Sequence, residues 1–241
     1  MMTFTYGLFI LLTLVLTALI GYTTFLSARL LQQWRPTENL LLDPLETAIR
    51  LCLIVVCVGL GLLSGLPATQ LGWTAAQPWA QVGAGFVFGG LLALFFALTT
   101  RWLIARSGTR FYSPLVINLI APTHWAEYAL TALAMIPVVL VEELLFRSLL
   151  IGGFSVVLAA PLLVVLVGVL FGLLHLPQGL WGMAGAGLAG ILMGGLFLAA
   201  GSLLLPVVAH YVANMAQLAL VMVMRKRGMP PYTAGTSPPV G

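Results

Sequence analysis

Seven apolar runs make up most of the chain, at roughly 4–27, 48–66, 82–104, 126–150, 156–175, 182–200 and 203–224. Each is close to the 20 or so helical residues that cross a bilayer. The expected fold is therefore all-α, a polytopic transmembrane bundle of about seven or eight helices. Composition leaves little room for anything else. With 10 Lys+Arg and 6 Asp+Glu in 241 residues, the chain is 7% charged and 61% hydrophobic, whereas an ordinary soluble domain is about a quarter charged. So few charges cannot coat a water-facing surface, and disorder requires the opposite balance of low hydrophobicity and high charge. The first run has no basic stretch ahead of it and is read as a retained span, not a cleaved signal peptide.

The net charge of +4 sits at the ends of the runs, on Arg29 and Arg35, on Arg101, Arg106 and Arg110, and on Arg225, Lys226 and Arg227. That is the distribution of the positive-inside rule and not the dense basic stripe of a nucleic-acid footprint, so membrane lipid is an expected partner and nucleic acid is not. The charged segment 28–47 then lies in the cytoplasm and the uncharged segment 67–81 outside. All three basic clusters agree with an N-terminus outside, which makes this a multi-pass integral membrane protein, in the plasma membrane if the source is prokaryotic. Cys52 and Cys57, five positions apart in one run, are too far round a helix to pair and read as small apolar side chains. Glycines four apart (Gly61 and Gly65, Gly85 and Gly89, Gly190 and Gly194) are expected to let helix backbones approach closely. Residues 1–124 read as N-terminal membrane helices, 125–224 as a helical core and 225–241 as a tail expected to be disordered.

The informative charges are those inside a run. Glu142, Glu143 and Arg147 lie in ALAMIPVVLVEELLFRSLL, and each costs about 2.5–3.5 kcal/mol near a helix centre, roughly 7–10 together before compensation. Glu143 and Arg147 are four apart, so a carboxylate and a guanidinium can pair on one face. Glu142 lies about 100° further round, without a local partner, desolvated and beside another carboxylate, a setting suited to a general base. Two more polar sites follow. His175 ends the run at FGLLH just before Pro177, and His210 and Asn214, in HYVAN, share a face of the last run. His124, ahead of its helix, is assigned no role. A buried Glu–Arg pair or a membrane histidine taken alone is commonly structural; two acids, an Arg, two His and an Asn on three runs form a more specific set.

In that order, Glu142-Glu143-x-x-x-Arg147, Phe171-x-x-x-His175 and His210-x-x-x-Asn214 resemble the three motifs of the CPBP family. That family comprises type II CAAX prenyl endopeptidases, the Ras-converting-enzyme type, and bacterial bacteriocin-processing or self-immunity proteins, also called Abi proteins. The resemblance covers roughly residues 125–220; Ser148 stands where the family more often has Gly. It implies an intramembrane glutamate protease whose catalytic set is Glu142, Glu143, Arg147, His175, His210 and Asn214. The residue chemistry suits that role: Glu142 helped by His175 would polarise a water, His210 and Asn214 would donate to the oxyanion, and Glu143 with Arg147 would hold the site together, Arg147 being also a candidate reader of a substrate carboxylate. The expected partner is a peptide or protein substrate, either a membrane-associated protein, prenylated CAAX-type proteins included, or a leader peptide. For a prenyl group the Gly-rich sixth run could help line an apolar groove. No cofactor is expected. The competing zinc reading would use Glu142, His175 and His210, without the HExxH signature. Competing functions are a non-catalytic self-immunity factor or scaffold, and an ion or solute transporter.

Strict alternation of spans conflicts with this set, because it puts Glu142 past the membrane centre toward the outside and His175 at the cytoplasmic end. Either the fourth helix starts later and runs past Gly153, or the fifth is short and ends in mid-membrane near Pro177. Both adjustments require a cavity reached by water, since irregular backbone is tolerated in a membrane only where it lines one.

Overall fold

The computed structural model describes residues 4–33 and 39–228; Arg35, Glu38 and the tail beyond Gly228 lie outside the described residues. The helices among them are α1 (Phe4–Gln33), α2 (Pro44–Leu63), α3 (Pro78–Ser107), α4 (Leu115–Ile120), α5 (Trp125–Glu143), α6 (Ala160–Leu173), α7 (Gly179–Ala200) and α8 (Leu204–Lys226). The fold is a polytopic helical membrane bundle. Among the described residues six helical segments are long and apolar enough to cross a membrane: α1, α2, α3, α7 and α8, the last two starting at Leu176 and Leu204, and α5 together with its continuation to Val156. The fifth apolar run is the exception, since α6 has only 14 residues.

Local chemistry accounts for the helix starts. Asp43 caps α2 by accepting from the Leu45 N–H at 2.8 Å, and Pro44 follows at the first helical position, where its missing N–H costs nothing. His124 caps α5, its Nδ1 accepting from the Glu127 N–H at 3.1 Å. The histidine without an assigned role thus orders the start of the helix that carries the acids.

The basic segments meet at one end of the bundle. Asn39 donates to the Ile120 carbonyl at 3.1 Å and to Glu127 Oε1 at 3.0 Å; Arg225 donates to the Ala121 carbonyl at 2.9 Å and to Asn118 Oδ1 at 3.0 Å. The loop after α3 joins them through the Ser113 N–H on the Gln178 carbonyl (2.9 Å) and the Trp181 N–H on the Phe111 carbonyl (2.8 Å). At the opposite end the loop after α2 folds inward: Gln70 donates to Ser155 Oγ at 3.1 Å, the Trp73 indole donates to Ser148 Oγ at 2.9 Å, and the Leu203 N–H reaches the Gly72 carbonyl at 2.8 Å.

Small residues set the helix contacts. A Cβ on Gly85 would lie 2.7 Å from Val208, and one on Gly89 would run into the Ala209 carbonyl oxygen, so α3 lies directly against α8. In the same way Gly168 and Gly172 let α6 approach Gly187 and Gly190 of α7. The Gly61/Gly65 pair behaves differently. Gly61 makes room for the Trp73 ring, whereas Gly65 lies beyond the end of α2 at φ +68° and packs against nothing, so it serves the turn and not a helix contact.

Beyond Glu143 the fourth span does not continue as an ordinary α-helix. Ten residues, Leu144–Gly153, form a π-helix, all of them buried, and three more, Phe154–Val156, a 3-10 turn. A π-helix is rare and its occurrences concentrate at functional sites. Pro137 inside α5 adds a second irregularity just before the acids, because it removes a backbone donor from the helical ladder.

Candidate active site

Adjacent positions on a helix point about 100° apart, and at the end of α5 this separates the fates of two glutamates. Glu143 is fully buried, its Oε1 lying 3.0 Å from Arg147 Nη1 and 2.7 Å from His210 Nδ1. Glu142 keeps 28% of its side chain exposed, and its Oε2 approaches His210 Nε2 at 3.6 Å, a distance beyond a direct hydrogen bond. His210 of α8 therefore stands between the two carboxylates.

Arg147, 1% exposed, is held on three sides: by Glu143, by the Gly190 carbonyl of α7 at 3.3 Å from Nη2, and by the Phe171 ring of α6, whose centroid is 4.9 Å from its Cζ. Its Nη1 is close to the carboxylate without an N–H aligned on it, and Nη1, Nε and Glu143 Oε2 have no hydrogen-bond partner among the described residues. The pair is thus held by charge contact more than by a bidentate fork. A guanidinium this enclosed fixes α5, α6 and α7 relative to one another.

The depth conflict resolves through the short α6. Past Glu143, ten π-helical and three 3-10 residues carry the chain to the far end of the bundle, and the 14 residues of α6 bring it back over a comparable distance. Phe171 accordingly arrives level with the acids, 5.0 Å ring to ring from Phe146 and 6.1 Å from His210. The fourth span does not start later, since α5 begins at Trp125, but it does run past Gly153 to Val156, and the fifth helix is short, so the fold uses part of the first adjustment together with the second. His175 follows in the turn after α6, its ring 4.5 Å from that of Phe171 and tilted 44° to it, with its Nδ1 2.7 Å from the Phe171 carbonyl. A carbonyl only accepts, so Nδ1 carries the proton and, in the neutral ring, Nε2 carries the lone pair. One turn beyond His210, Asn214 donates weakly to Met135 Sδ at 3.6 Å.

Glu142, Arg147, His175, His210 and Asn214 all line one cavity of about 470 Å³; Glu143 stands behind its wall. The cavity extends to Ser27, Leu40, Ile120 and Gln178 at the basic end. Gly182, Gly185, Ala186 and Ala189 of the Gly-rich sixth run form part of its wall. The structure thus brings all six residues of the expected set to one place. It does not assemble the zinc set: although Glu142, His175 and His210 share the cavity, no group of three or more His, Cys, Asp or Glu side chains among the described residues is arranged to hold a metal ion, and His210 Nδ1 is taken by Glu143.

Residues 124–216 match the family model for type II CAAX prenyl endopeptidase Rce1-like proteins. Across that segment the chain is similar to the CPBP family. The matched segment runs from the cap of α5 to just past Asn214 and so contains every motif residue of the site. No curated protein and no solved structure matches the chain. The likeness to the CPBP family supports a CAAX-type intramembrane protease acting on a peptide or protein, and the six spans among the described residues make this an integral multi-pass membrane protein.

The cavity also includes residues that sequence reasoning passed over. Gln217 lines it from α8, three and seven positions beyond Asn214 and His210 and hence on their face, a spacing that could have marked it. Trp181 and Thr100, joined by an indole N–H to hydroxyl bond of 2.9 Å, had no such signal. Glu46 and Arg50 also line it, having read only as charges near a helix end.

Proposed function

We propose that this chain is a metal-independent intramembrane endopeptidase in which Glu142, helped by His175, activates water while His210 and Asn214 stabilise the oxyanion. One observation carries the assignment: of two adjacent carboxylates, Glu143 is sealed against Arg147 and His210, and Glu142 alone reaches the cavity. A general base must reach the proton it removes, and a buried carboxylate already facing two cationic or donor groups serves better as an anchor.

In this mechanism Glu142 takes a proton from a water as the water oxygen bonds to the scissile carbonyl carbon. The carbonyl oxygen becomes an oxyanion facing donors from His210 Nε2 and Asn214 Nδ2. On collapse the C–N bond breaks and the proton on Glu142 passes to the departing amine, leaving a new carboxyl and a new amino terminus. His175, its tautomer set by the Phe171 carbonyl, offers Nε2 to orient the water. Because the Nδ1–H of His210 faces Glu143, an Nε2 that donates requires the imidazolium at that step. The substrate is a membrane-associated protein or a leader peptide; the small-residue wall from α7 would accommodate an attached prenyl chain of the CAAX type.

The test is mass spectrometry of membrane and secreted peptides from cells carrying the wild type or Glu142→Gln at equal expression. A product that disappears with Glu142→Gln supports the reading. An unchanged peptide profile overturns it, as would ion or solute flux in proteoliposomes that the same substitution blocks. Cleavage by the purified protein is expected to survive strong chelators; loss restored by zinc would overturn the metal-independent mechanism.

A further inference from the structure

Arg50 and Arg147 both line the cavity, and both carry donors without a hydrogen-bond partner among the described residues. Arg147, 1% exposed, is enclosed by Glu143, Gly190 and Phe171, which leaves Arg50 as the guanidinium more open to a ligand. Arg50, on α2, lies outside the family match and lines the same cavity. Its side chain is 17% exposed, and Nη2 donates to Glu46 Oε2 at 3.1 Å. Its Nη1 is shielded from solvent and has no hydrogen-bond partner among the described residues. A buried donor on a charged group without an acceptor is costly, and in native structures such groups call for an explanation, an absent ligand being one. The partner Arg50 does have is weakly held: Glu46 is 48% exposed, and an exposed pair of this kind contributes little, so another oxyanion can displace or join it.

Position selects the oxyanion. Arg50 is six residues, about 9 Å, into α2, while Glu142 is seventeen residues, about 25 Å, into α5. Both helices start at the basic end, so Arg50 lies nearer that end and Glu142 deeper. We propose that Arg50 binds the C-terminal carboxylate of the substrate peptide, placing the scissile bond several residues upstream, beside Glu142. A planar guanidinium suits a carboxylate because its N–H groups match both oxygens. This rests on the endopeptidase reading for the role of Glu142 and adds the residue, Arg50, that holds the substrate's carboxyl end.

Binding tests the inference apart from cleavage. The full chain carrying Glu142→Gln, in phosphatidylcholine nanodiscs, is offered a pool of apolar hexapeptides in paired acid and amide forms, and the retained peptides are quantified by mass spectrometry. The acid forms are expected to be retained about tenfold or more over the amides, as a charge-assisted bond implies. Adding Arg50→Gln should bring that ratio to within about twofold of unity, Arg50→Lys should restore part of it, and Glu46→Gln, which frees the guanidinium, should not lower it. An acid preference that persists in Arg50→Gln overturns the inference, as does equal retention of acid and amide by the starting protein. Arg50-dependent retention of added phosphatidylglycerol with no acid preference would assign the site to a lipid phosphate instead and also overturn it. Glu142-dependent cleavage of acid and amide peptides at equal rates would sink this inference alone, whereas cleavage independent of Glu142 would sink the function proposed above.

Discussion

Removing one or the other of the two adjacent glutamates should produce opposite outcomes in stability and activity. Glu143→Ala leaves Arg147, 1% exposed, without its carboxylate, and a buried charge deprived of its partner costs about 3–5 kcal/mol. At roughly 2–4 °C per kcal/mol for a chain of this size, the thermal midpoint should fall by roughly 6–20 °C. Glu142→Ala removes a side chain that is 28% exposed and makes one 3.6 Å approach, so its effect should stay within about 1 kcal/mol while cleavage is lost. A third variant separates charge from packing. Glu143→Leu combined with Arg147→Met replaces the pair by apolar groups of similar length and should recover most of the midpoint, but not activity, because His210 Nδ1 loses the carboxylate 2.7 Å away. Thermal unfolding followed by tryptophan fluorescence in nanodiscs, with peptide cleavage measured in parallel, reads both quantities. Equal midpoints for the two alanine variants, or no recovery in the double variant, would refute the assignment of anchor and base.

Two further outcomes follow from other parts of the structure. Asn214→Ala should lower kcat by about 10²–10³ with KM little changed and the midpoint nearly constant, since the carboxamide's one side-chain hydrogen bond among the described residues is the weak 3.6 Å donation to Met135; a purely structural role would move the midpoint instead. Gly89→Leu should destabilise by about 1–3 kcal/mol or more through overpacking, because its first side-chain atom meets the Ala209 carbonyl, whereas Gly90→Leu, with nothing within 4 Å of its Cβ position, should be neutral in the same unfolding measurement.

The sequence made the spans, the Glu143–Arg147 pair and the membership of the site legible, because charge in an apolar run is expensive and therefore rare. Several other features were hidden for physical reasons. Helices apolar on every side give no periodicity to say which face meets protein and which meets lipid, so the packing of α3 on α8 through Gly85 and Gly89 was expected only as a generic close approach. The π-helix after Glu143 leaves no mark in LLFRSLLIGG, since the same residues suit an α-helix. The angle between Glu142 and Glu143 showed that they differ in direction but not which one is buried; that depends on where α8 presents His210. Arg50 was hidden by its address, because an arginine just inside a helix end satisfies the positive-inside rule whether or not it also faces a cavity.

Adjacent glutamates give this chain an economical way to place one fixed and one reactive carboxylate in lipid. A lone reactive acid in mid-membrane would have to be compensated by the groups with which it reacts, which would compromise either its position or its availability. Here the compensation falls on the neighbour: Glu143 fixes Arg147, which binds α6 and α7 through Phe171 and the Gly190 carbonyl, and fixes His210, which binds α8. Glu142 then takes its direction from the same backbone and remains open to the cavity. The arrangement depends on α6 being short enough to return Phe171 and His175 to the same depth. Lengthening α6 by one helical turn, about 5.4 Å, should therefore separate His175 from Glu142 and abolish cleavage. In such a variant the Glu143–Arg147–His210 contacts, and with them the accessibility of Glu142 to a water-soluble carboxyl reagent, should persist.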